Sequence, residues 1–243
     1  MATSCARFFR PLAFSAIALL ALTAVAAAQV TVTIDSATMT SGYMNVSDLP
    51  SNGGAFQFGS PWGVGDLNAT FPTPSSVNFT PNTIGDPNSY WYTPSGGPGS
   101  TGNKIMEANL YNESTGVLNG QTVTFEGNVS SFTLQTGTNP NTDYTFKAFI
   151  RDFASDYSSV VETLVPITST GLFSATMATI NDPARHVQYG LQMKGADVWF
   201  TDVASKGSVT VNAVPEPSTY ALLAFGGCAA AALRRRMIRR ANA

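Results

Sequence analysis

Hydrophobic and polar residues alternate with a period of two through much of the chain between residues 29 and 213. The clearest run is HVQYGLQMKG, residues 186–195. Its inward positions are Val187, Tyr189, Leu191 and Met193. Its outward positions are His186, Gln188, Gln192 and Lys194. Alternation of this kind predicts a β-strand with one face in the core and one face toward solvent.

Other segments support an all-β body. In DYTFKAFIRDF, residues 143–153, both faces carry apolar side chains, which predicts a central strand. About ten short strands, separated by Gly, Asn and Pro turns, favour one antiparallel β-sandwich over residues 29–213, similar to a jelly roll. Seven of the 14 prolines fall between Ser60 and Gly102, so that stretch is predicted to be a loop-rich insertion.

The N-terminus has the layout of a secretory signal peptide. Arg7 and Arg10 precede an apolar run from Leu12 to Val25, and three alanines end at Ala28. This arrangement predicts that residues 1–28 are removed by signal peptidase before Gln29. The alternative is an uncleaved membrane helix, which the short run and its small terminal residues disfavour.

The C-terminus contains a second short apolar run, preceded by Val-Pro-Glu-Pro. Thr219 to Leu233 would form a helix of about 22 Å, whereas the bilayer hydrocarbon core is about 30 Å thick. The segment could still span if flanking arginines snorkel, and the basic cluster would then stay on the cytoplasmic side. That cluster comprises Arg234, Arg235, Arg236, Arg239 and Arg240.

This three-part tail resembles the PEP-CTERM sorting signal of Gram-negative bacteria. Pro215, Glu216 and Pro217 match its short motif, and the apolar run and the arginines follow in the expected order up to the chain end. The resemblance covers Val214 to Arg240, so residues 214–243 are assigned to a sorting signal, and it implies an exosortase as partner, with membrane attachment through the tail before processing. An ordinary tail anchor is the alternative. The resemblance further implies a protein of the cell envelope or surface, or one released to the extracellular matrix after cleavage, with exopolysaccharide as a candidate partner.

Charge and cysteine usage narrow the possibilities for the body. Residues 29–213 carry six Lys and Arg against 14 Asp and Glu, which leaves a net charge of −8. A balance of this kind argues against nucleic acid as a partner, since nucleic-acid affinity depends on Lys and Arg contacts to phosphates. The two cysteines, Cys5 and Cys228, lie outside the body, so it has no disulfide or thiolate ligand.

The residues for catalysis or metal binding are few. His186 is the single histidine, and no zinc site or Ser-His-Asp arrangement follows from it. Asp152 and Asp156 could act as carboxylates in glycoside hydrolysis or contribute oxygen ligands to Ca²⁺, but turn capping explains them better. We therefore expect no catalytic residues and no obligatory cofactor, with Ca²⁺ as an open alternative.

Loop aromatics offer a candidate ligand surface. Trp62, Tyr90, Trp91 and Tyr92 lie next to Gly- and Pro-rich segments, and aromatic rings can stack on the C–H faces of sugars. The alternative is that the rings cover the end of the sandwich. Two function classes remain: a non-catalytic surface or matrix protein, with or without bound polysaccharide, and a polysaccharide-active hydrolase or lyase on the same scaffold.

Overall fold

A computed structural model describes residues 29–214 of the 243-residue chain. The predicted signal peptide, Pro215-Glu216-Pro217, the short apolar helix and the arginine cluster lie outside the described residues. Within 29–214, no helix is long and apolar enough to cross a membrane.

Fourteen β-strands and three single-turn 3₁₀ helices make up the described part of the chain. The strands are β1 (Gln29–Val32), β2 (Ser41–Asp48), β3 (Phe56–Pro61), β4 (Ala69–Thr73), β5 (Ser76–Phe79), β6 (Tyr92–Thr93), β7 (Thr101–Gly102), β8 (Lys104–Thr115), β9 (Thr122–Phe132), β10 (Thr145–Phe153), β11 (Val160–Ile167), β12 (Gly171–Ala178), β13 (His186–Ala196) and β14 (Val209–Asn212). The 3₁₀ helices are Pro50–Asn52, Gly65–Leu67 and Val203–Lys206. This composition confirms the predicted all-β class.

The first sheet is built around β9. Strand β12 pairs with one edge of β9, while β1 and β14 share its other edge, and the sheet continues through β5 to β4. The sheet departs from the expected antiparallel pattern at one place, because β1 runs parallel to β9. The segment predicted to be loop-rich supplies β4 and β5, which form an edge of this sheet.

The second sheet has the strand order β11-β10-β13-β8-β2-β3, and every pairing in it is antiparallel. Strand β10 lies between β11 and β13, as its two apolar faces predicted. A third, minimal sheet pairs β6 with β7 in the loop-rich segment.

Apolar side chains from the two large sheets meet to form the core. Phe79 of the first sheet packs edge to face on Phe146 of the second, with ring centroids 5.3 Å apart. Phe125 and Tyr189 also meet between the sheets, with ring centroids 5.4 Å apart and ring planes tilted by 45°. Phe146, Tyr189 and Leu191 are all buried, so the inward face predicted from alternation is confirmed. The arrangement is a β-sandwich, whose outer faces remain available for other uses.

The chain leaves the sandwich directly after β14. The amide of Ala213 donates to the carbonyl oxygen of Ser75 at 2.8 Å, and the amide of Val214 donates to the hydroxyl of Thr33 at 3.2 Å. The Pro-Glu-Pro triplet therefore begins one residue after the last of these contacts.

Candidate functional site

The loop aromatics do not form one exposed surface. Tyr90 and Trp91 meet edge to face with ring centroids 4.8 Å apart. Trp91 also packs edge to face on Phe58, at 6.3 Å. Trp62 packs against the core, and its Nε1 donates to the hydroxyl of Ser60 at 2.9 Å. Each ring therefore has protein contacts of its own, and Tyr90 remains the most accessible of the set.

Tyr92 is not part of an exposed ligand surface, which corrects the expectation from the sequence. Its side chain is fully buried, and its hydroxyl donates to the carbonyl oxygen of Ile84 at 2.7 Å. The ring packs edge to face on Trp199 at 5.3 Å. Burial raises the pKa of Tyr92 to about 12. The residue holds the loop-rich segment against the sandwich, because it fills a pocket and satisfies a backbone carbonyl there.

The two carboxylates considered for Ca²⁺ or hydrolysis both accept hydrogen bonds from protein donors. Asp152 is fully buried, and its Oδ1 accepts Nε of Arg185 at 2.7 Å while its Oδ2 accepts the amide of Ile180 at 2.7 Å. Asp156 accepts the amide and the hydroxyl of Ser158, which hold its pKa below the usual range. Asp152 is thus unavailable to a cation, which corrects the expectation from sequence. Within 29–214, no cluster of three or more Asp, Glu, His or Cys could hold a metal ion.

His186 is held in place by its neighbours. Its ring stacks on Tyr157 with centroids 4.6 Å apart and planes within 3°. Nδ1 lies 2.7 Å from the hydroxyl of Thr115, and Nε2 lies 3.2 Å from the carbonyl oxygen of Ser155. Both ring nitrogens therefore have partners, and the imidazole packs against the ring of Tyr157.

A groove of about 610 Å³ crosses the outer face of the second sheet. Strands β2, β8 and β10 contribute to it every second residue, because successive side chains alternate between the faces of a sheet, and β13 contributes Gln188. The residues that line it are Tyr43, Asn45, Pro61, Asn109, Tyr111, Glu113, Arg151, Phe153, Tyr157, Val160 and Gln188. We call this the sheet groove. A search for aromatic residues in loops does not find this groove, because Tyr43, Tyr111 and Phe153 occupy outward positions on strands.

One row of polar residues runs across four strands at this face. The strand register places Glu162, Arg151, Gln188 and Glu113 opposite one another in that order. Nε of Arg151 donates to Glu162 at 3.1 Å, and the amide of Gln188 donates to Glu113 at 2.6 Å. Each charged group in the row therefore has a neutralising or hydrogen-bonding partner, which fixes its orientation.

A second row is centred on Asn109, which is 1% exposed. Its Oδ1 accepts Nη1 of Arg151 at 3.0 Å and the amide of Gln192 at 3.0 Å. Gln188 and Gln192 point outward as alternation predicted, but both are buried, which corrects the expectation of a solvent-exposed face. Their amides are buried because neighbouring side chains enclose them in a connected polar network.

Aromatic rings border these two rows of polar residues. Gly190 lies between Phe149 and Tyr111 in the strand register, and a Cβ at this position would lie 2.8 Å from Cα of Tyr111. The guanidinium of Arg151 stacks over the ring of Phe149 at 4.1 Å from its centroid. The hydroxyls of Tyr43 and Tyr111 make no hydrogen bond to any other side chain or backbone atom in 29–214, so they are available to a ligand.

Three titratable groups in or beside the groove have shifted pKa values. Desolvation raises the pKa of Tyr157 to about 12, and its hydrogen bond to Glu113 at 3.0 Å acts in the same direction. Burial and the charge of Glu113 raise the pKa of Tyr111. Desolvation of Glu107 is outweighed by the ammonium of Lys194, which holds the pKa of that carboxyl below its usual range. At neutral pH Tyr111 and Tyr157 are therefore protonated and can donate hydrogen bonds.

A smaller cavity of about 460 Å³ opens beside Trp62. Gly63, Asp66, Asn68 and Ile84 line it together with that ring. It is more open to solvent and has one aromatic wall, so it offers a ligand fewer contacts than the sheet groove.

Comparison with known proteins adds two findings. The PEP-CTERM protein-sorting motif matches residues 213–236, which include Pro215, Glu216, Pro217 and Arg234 to Arg236. A solved structure of carbohydrate-binding modules from the β-sandwich superfamily is similar at 15% identity and a TM-score of 0.30, over 70% of each chain. No curated protein matches the chain.

The fold defines an all-β sandwich, and the sorting motif places the chain among exported proteins of the cell envelope or surface. The motif, which was predicted from the three-part tail, further implies processing by an exosortase. The motif begins at Ala213, directly after the last strand ends at Asn212, so no linker separates the sorting motif from the β-sandwich.

Proposed function

We propose that this exported protein binds polysaccharide in the sheet groove without transforming it. The observation that supports this function is the combination of tyrosine hydroxyls that have no protein partner with polar side chains that are held in place by hydrogen bonds at the base of the groove. Tyr43 and Tyr111 provide aromatic surface and hydroxyl donors, and Asn109, Arg151 and Gln188 form the floor. Sugars present apolar C–H faces and many hydroxyls, so they match such a mixture.

The size and rigidity of the groove favour this class of ligand. Small-molecule sites commonly measure about 300–1,000 Å³, and the sheet groove falls within that range at about 610 Å³. Its side chains stand on paired strands and are held by mutual hydrogen bonds, so little ordering is required when a ligand binds. Weak contacts repeated along a polymer would raise the effective affinity.

The groove is better suited to binding than to catalysis. Both carboxylate oxygens of Glu113 already accept hydrogen bonds, and Glu162 is paired with Arg151. The raised pKa of Tyr157 opposes its action as a base at neutral pH. We therefore place the protein in the non-catalytic class and rank a hydrolase or lyase second.

The charge of the body favours neutral polymers over acidic ones. Residues 29–213 have a net charge of −8, and Arg151, the cation of the groove, is occupied by Glu162 and Asn109. A polyanion would meet repulsion without a free cation in the groove to offset it.

Affinity electrophoresis of the purified exported protein tests this proposal. Gels contain the polysaccharide of the host organism or a panel of neutral and acidic polymers. We expect retardation by at least one neutral polymer and a loss of roughly 5- to 30-fold in affinity for Tyr111→Ala, which corresponds to about 1–2 kcal/mol for one aromatic contact. Tyr90→Ala, which removes the accessible loop tyrosine, is the matched control and should migrate as the parent does.

Three results would contradict the proposal. Unchanged mobility on every polymer would leave a purely structural surface protein. Weaker retardation of Tyr90→Ala alone would move the site to the loop aromatics. New reducing ends or unsaturated sugars formed from the same polymers would favour the hydrolase or lyase.

A further inference from the structure

The cavity of about 460 Å³ beside Trp62, which we call the Trp62 cavity, adjoins the sheet groove. Pro61, the last residue of β3, lines both spaces. The groove is lined from Val160 on β11 to Pro61 on β3, so it crosses the whole second sheet. Five strand intervals of about 4.8 Å give it a length of about 24 Å. Because β3 is the edge strand, no further strand of that sheet separates the groove from the Trp62 cavity.

One wall of the Trp62 cavity is fixed by the chain that leaves β3. The amide of Trp62 donates to the carbonyl oxygen of Gly42 at 3.0 Å, which extends the pairing with β2. A Cβ on Gly42 would overlap the carbonyl oxygen of Trp62 and lie 2.8 Å from Cδ1 of the buried Leu67, so glycine lets the following turn close onto β2. The indole is held by its bond to Ser60. The aromatic wall is therefore formed before any ligand arrives.

The opposite wall is held by Tyr92, which the sequence had suggested as a ligand residue. Its buried hydroxyl donates to the carbonyl oxygen of Ile84 at 2.7 Å and accepts the amide of the same residue at 3.0 Å. Nδ2 of Asn82 donates to the carbonyl oxygen of Asp66 at 2.9 Å and so joins this wall to the turn after β3. Little ordering of the backbone is therefore required when a ligand enters.

The polar groups of the Trp62 cavity are open to a ligand, in contrast to the paired charges of the sheet groove. The carboxylate of Asp66 is exposed and accepts no hydrogen bond from residues 29–214. Nδ2 of Asn68 donates to the carbonyl oxygen of Pro81 at 2.7 Å, which fixes the side chain and leaves Oδ1 without a partner in this part of the chain. Neither Lys nor Arg lines the cavity among the described residues. These acceptors match neutral hydroxyl donors and disfavour an anion.

We propose that the Trp62 cavity is a second sugar subsite, and that one neutral polysaccharide chain occupies it together with the sheet groove. This inference rests on the function proposed for the groove. Trp62 provides the aromatic surface, and Asp66 and Asn68 accept hydrogen bonds from sugar hydroxyls. Once the groove is occupied, binding in the second subsite is intramolecular, so it raises the affinity for chains long enough to pass Pro61 and leaves short chains unaffected.

The test compares oligosaccharides of increasing length, prepared from the neutral polymer that retards the protein in gels. Each is titrated calorimetrically into the purified exported protein. We expect Trp62→Ala to lower the affinity for long chains about 2- to 12-fold, as the loss of one aromatic contact implies, and to leave the shortest binding chains unaffected. Trp62→Phe keeps a ring and should retain most of the affinity. Trp91→Ala removes a partly buried tryptophan that lines neither space, and it is the matched control.

An exposed position keeps the test decisive if Trp62→Ala fails to fold. Asp66→Ala should weaken the binding of long chains by a similar factor, because one or two hydrogen bonds to sugar hydroxyls are lost. Glu126→Ala removes the same charge from the first sheet and should bind as the parent does.

Two results would overturn the second subsite while the sheet groove stands. In the first, Trp62→Ala and Asp66→Ala bind long chains as the parent does, although Tyr111→Ala still weakens binding. In the second, the variants lose the same factor on short and long chains. Absence of binding to every polymer would overturn both the subsite and the function of the groove.

Discussion

Asp152 and Asp197 are two buried carboxylates at strand ends in the second sheet, and their surroundings differ. Asp152 meets Arg185 at 2.7 Å and a backbone amide at the same distance. Asp197 has amide donors for one oxygen and none for the other, and desolvation raises its pKa to about 7. The comparison indicates that the first is a structural element and the second a site that responds to its environment.

The same contrast separates the regions that surround them. The sheet groove stands on paired strands, and its charged groups are satisfied by neighbours in the register. A cavity of about 330 Å³ beside Asp197 is lined by a glycine-rich loop and a 3₁₀ helix, and two side-chain oxygens, Oδ2 of Asp197 and Oγ of Ser100, have no hydrogen-bond partner among residues 29–214. The paired strands therefore carry polar groups that satisfy one another, whereas the loops at the end of β13 bury two oxygens without partners.

Removal of the partner of Asp152 should have the largest effect. Arg185→Ala leaves a fully buried carboxylate without its cation, and the loss of one partner of a buried pair costs about 3–5 kcal/mol. The free energy of unfolding from a denaturant titration measures it. Lys194→Ala breaks the more exposed pair with Glu107 and should cost about 1 kcal/mol or less. Equal losses in the two variants would remove the distinction between a structural pair and a surface pair.

Titration of Asp197 should have the next largest effect. Its pKa is about 7 in the native state against an ordinary value of 3.8, so the native state holds the proton more tightly. Stability from this group is therefore present at low pH and decreases as the pH rises from about 4 through 7, by an amount on the order of a few kcal/mol. Urea unfolding in EDTA at pH 5 and pH 8 measures the decrease.

The Asp197→Asn variant sharpens the same measurement. It cannot ionise at this position, so its stability should lack the decrease and exceed that of the parent protein at pH 8. Parallel pH profiles for the two proteins would show that Asp197 does not titrate in this window.

Processing of the tail should have the smallest effect on the folded body. We expect the intact mass of the surface form to show that the residues after about Pro217 are absent. Because β14 ends at Asn212 and the last hydrogen bond within residues 29–214 is that of Val214 to Thr33, the unfolding free energy should change by less than about 0.5 kcal/mol. A mature form that retains Leu233 and the arginines would instead indicate a permanent anchor.

Alternation in the sequence was sufficient to assign strands and their inward faces. Val187, Leu191 and Phe146 lie in the core as their spacing predicted, because a strand necessarily sends successive side chains to opposite faces. The sorting signal could also be read directly, since an exported segment is recognised as a linear motif. Neither inference depends on which strands become neighbours.

The arrangement of the site residues depends on which residues become neighbours in the folded structure. Glu113, Arg151 and Gln188 are up to 75 positions apart, and only the register of β8, β13 and β10 aligns them. The pairing of Asp152 with Arg185, the burial of Tyr92 and the free oxygen of Asp197 likewise depend on what the fold packs around each side chain. A period-two pattern specifies the face of a strand, whereas long-range pairing and burial follow from the packing of the whole sandwich.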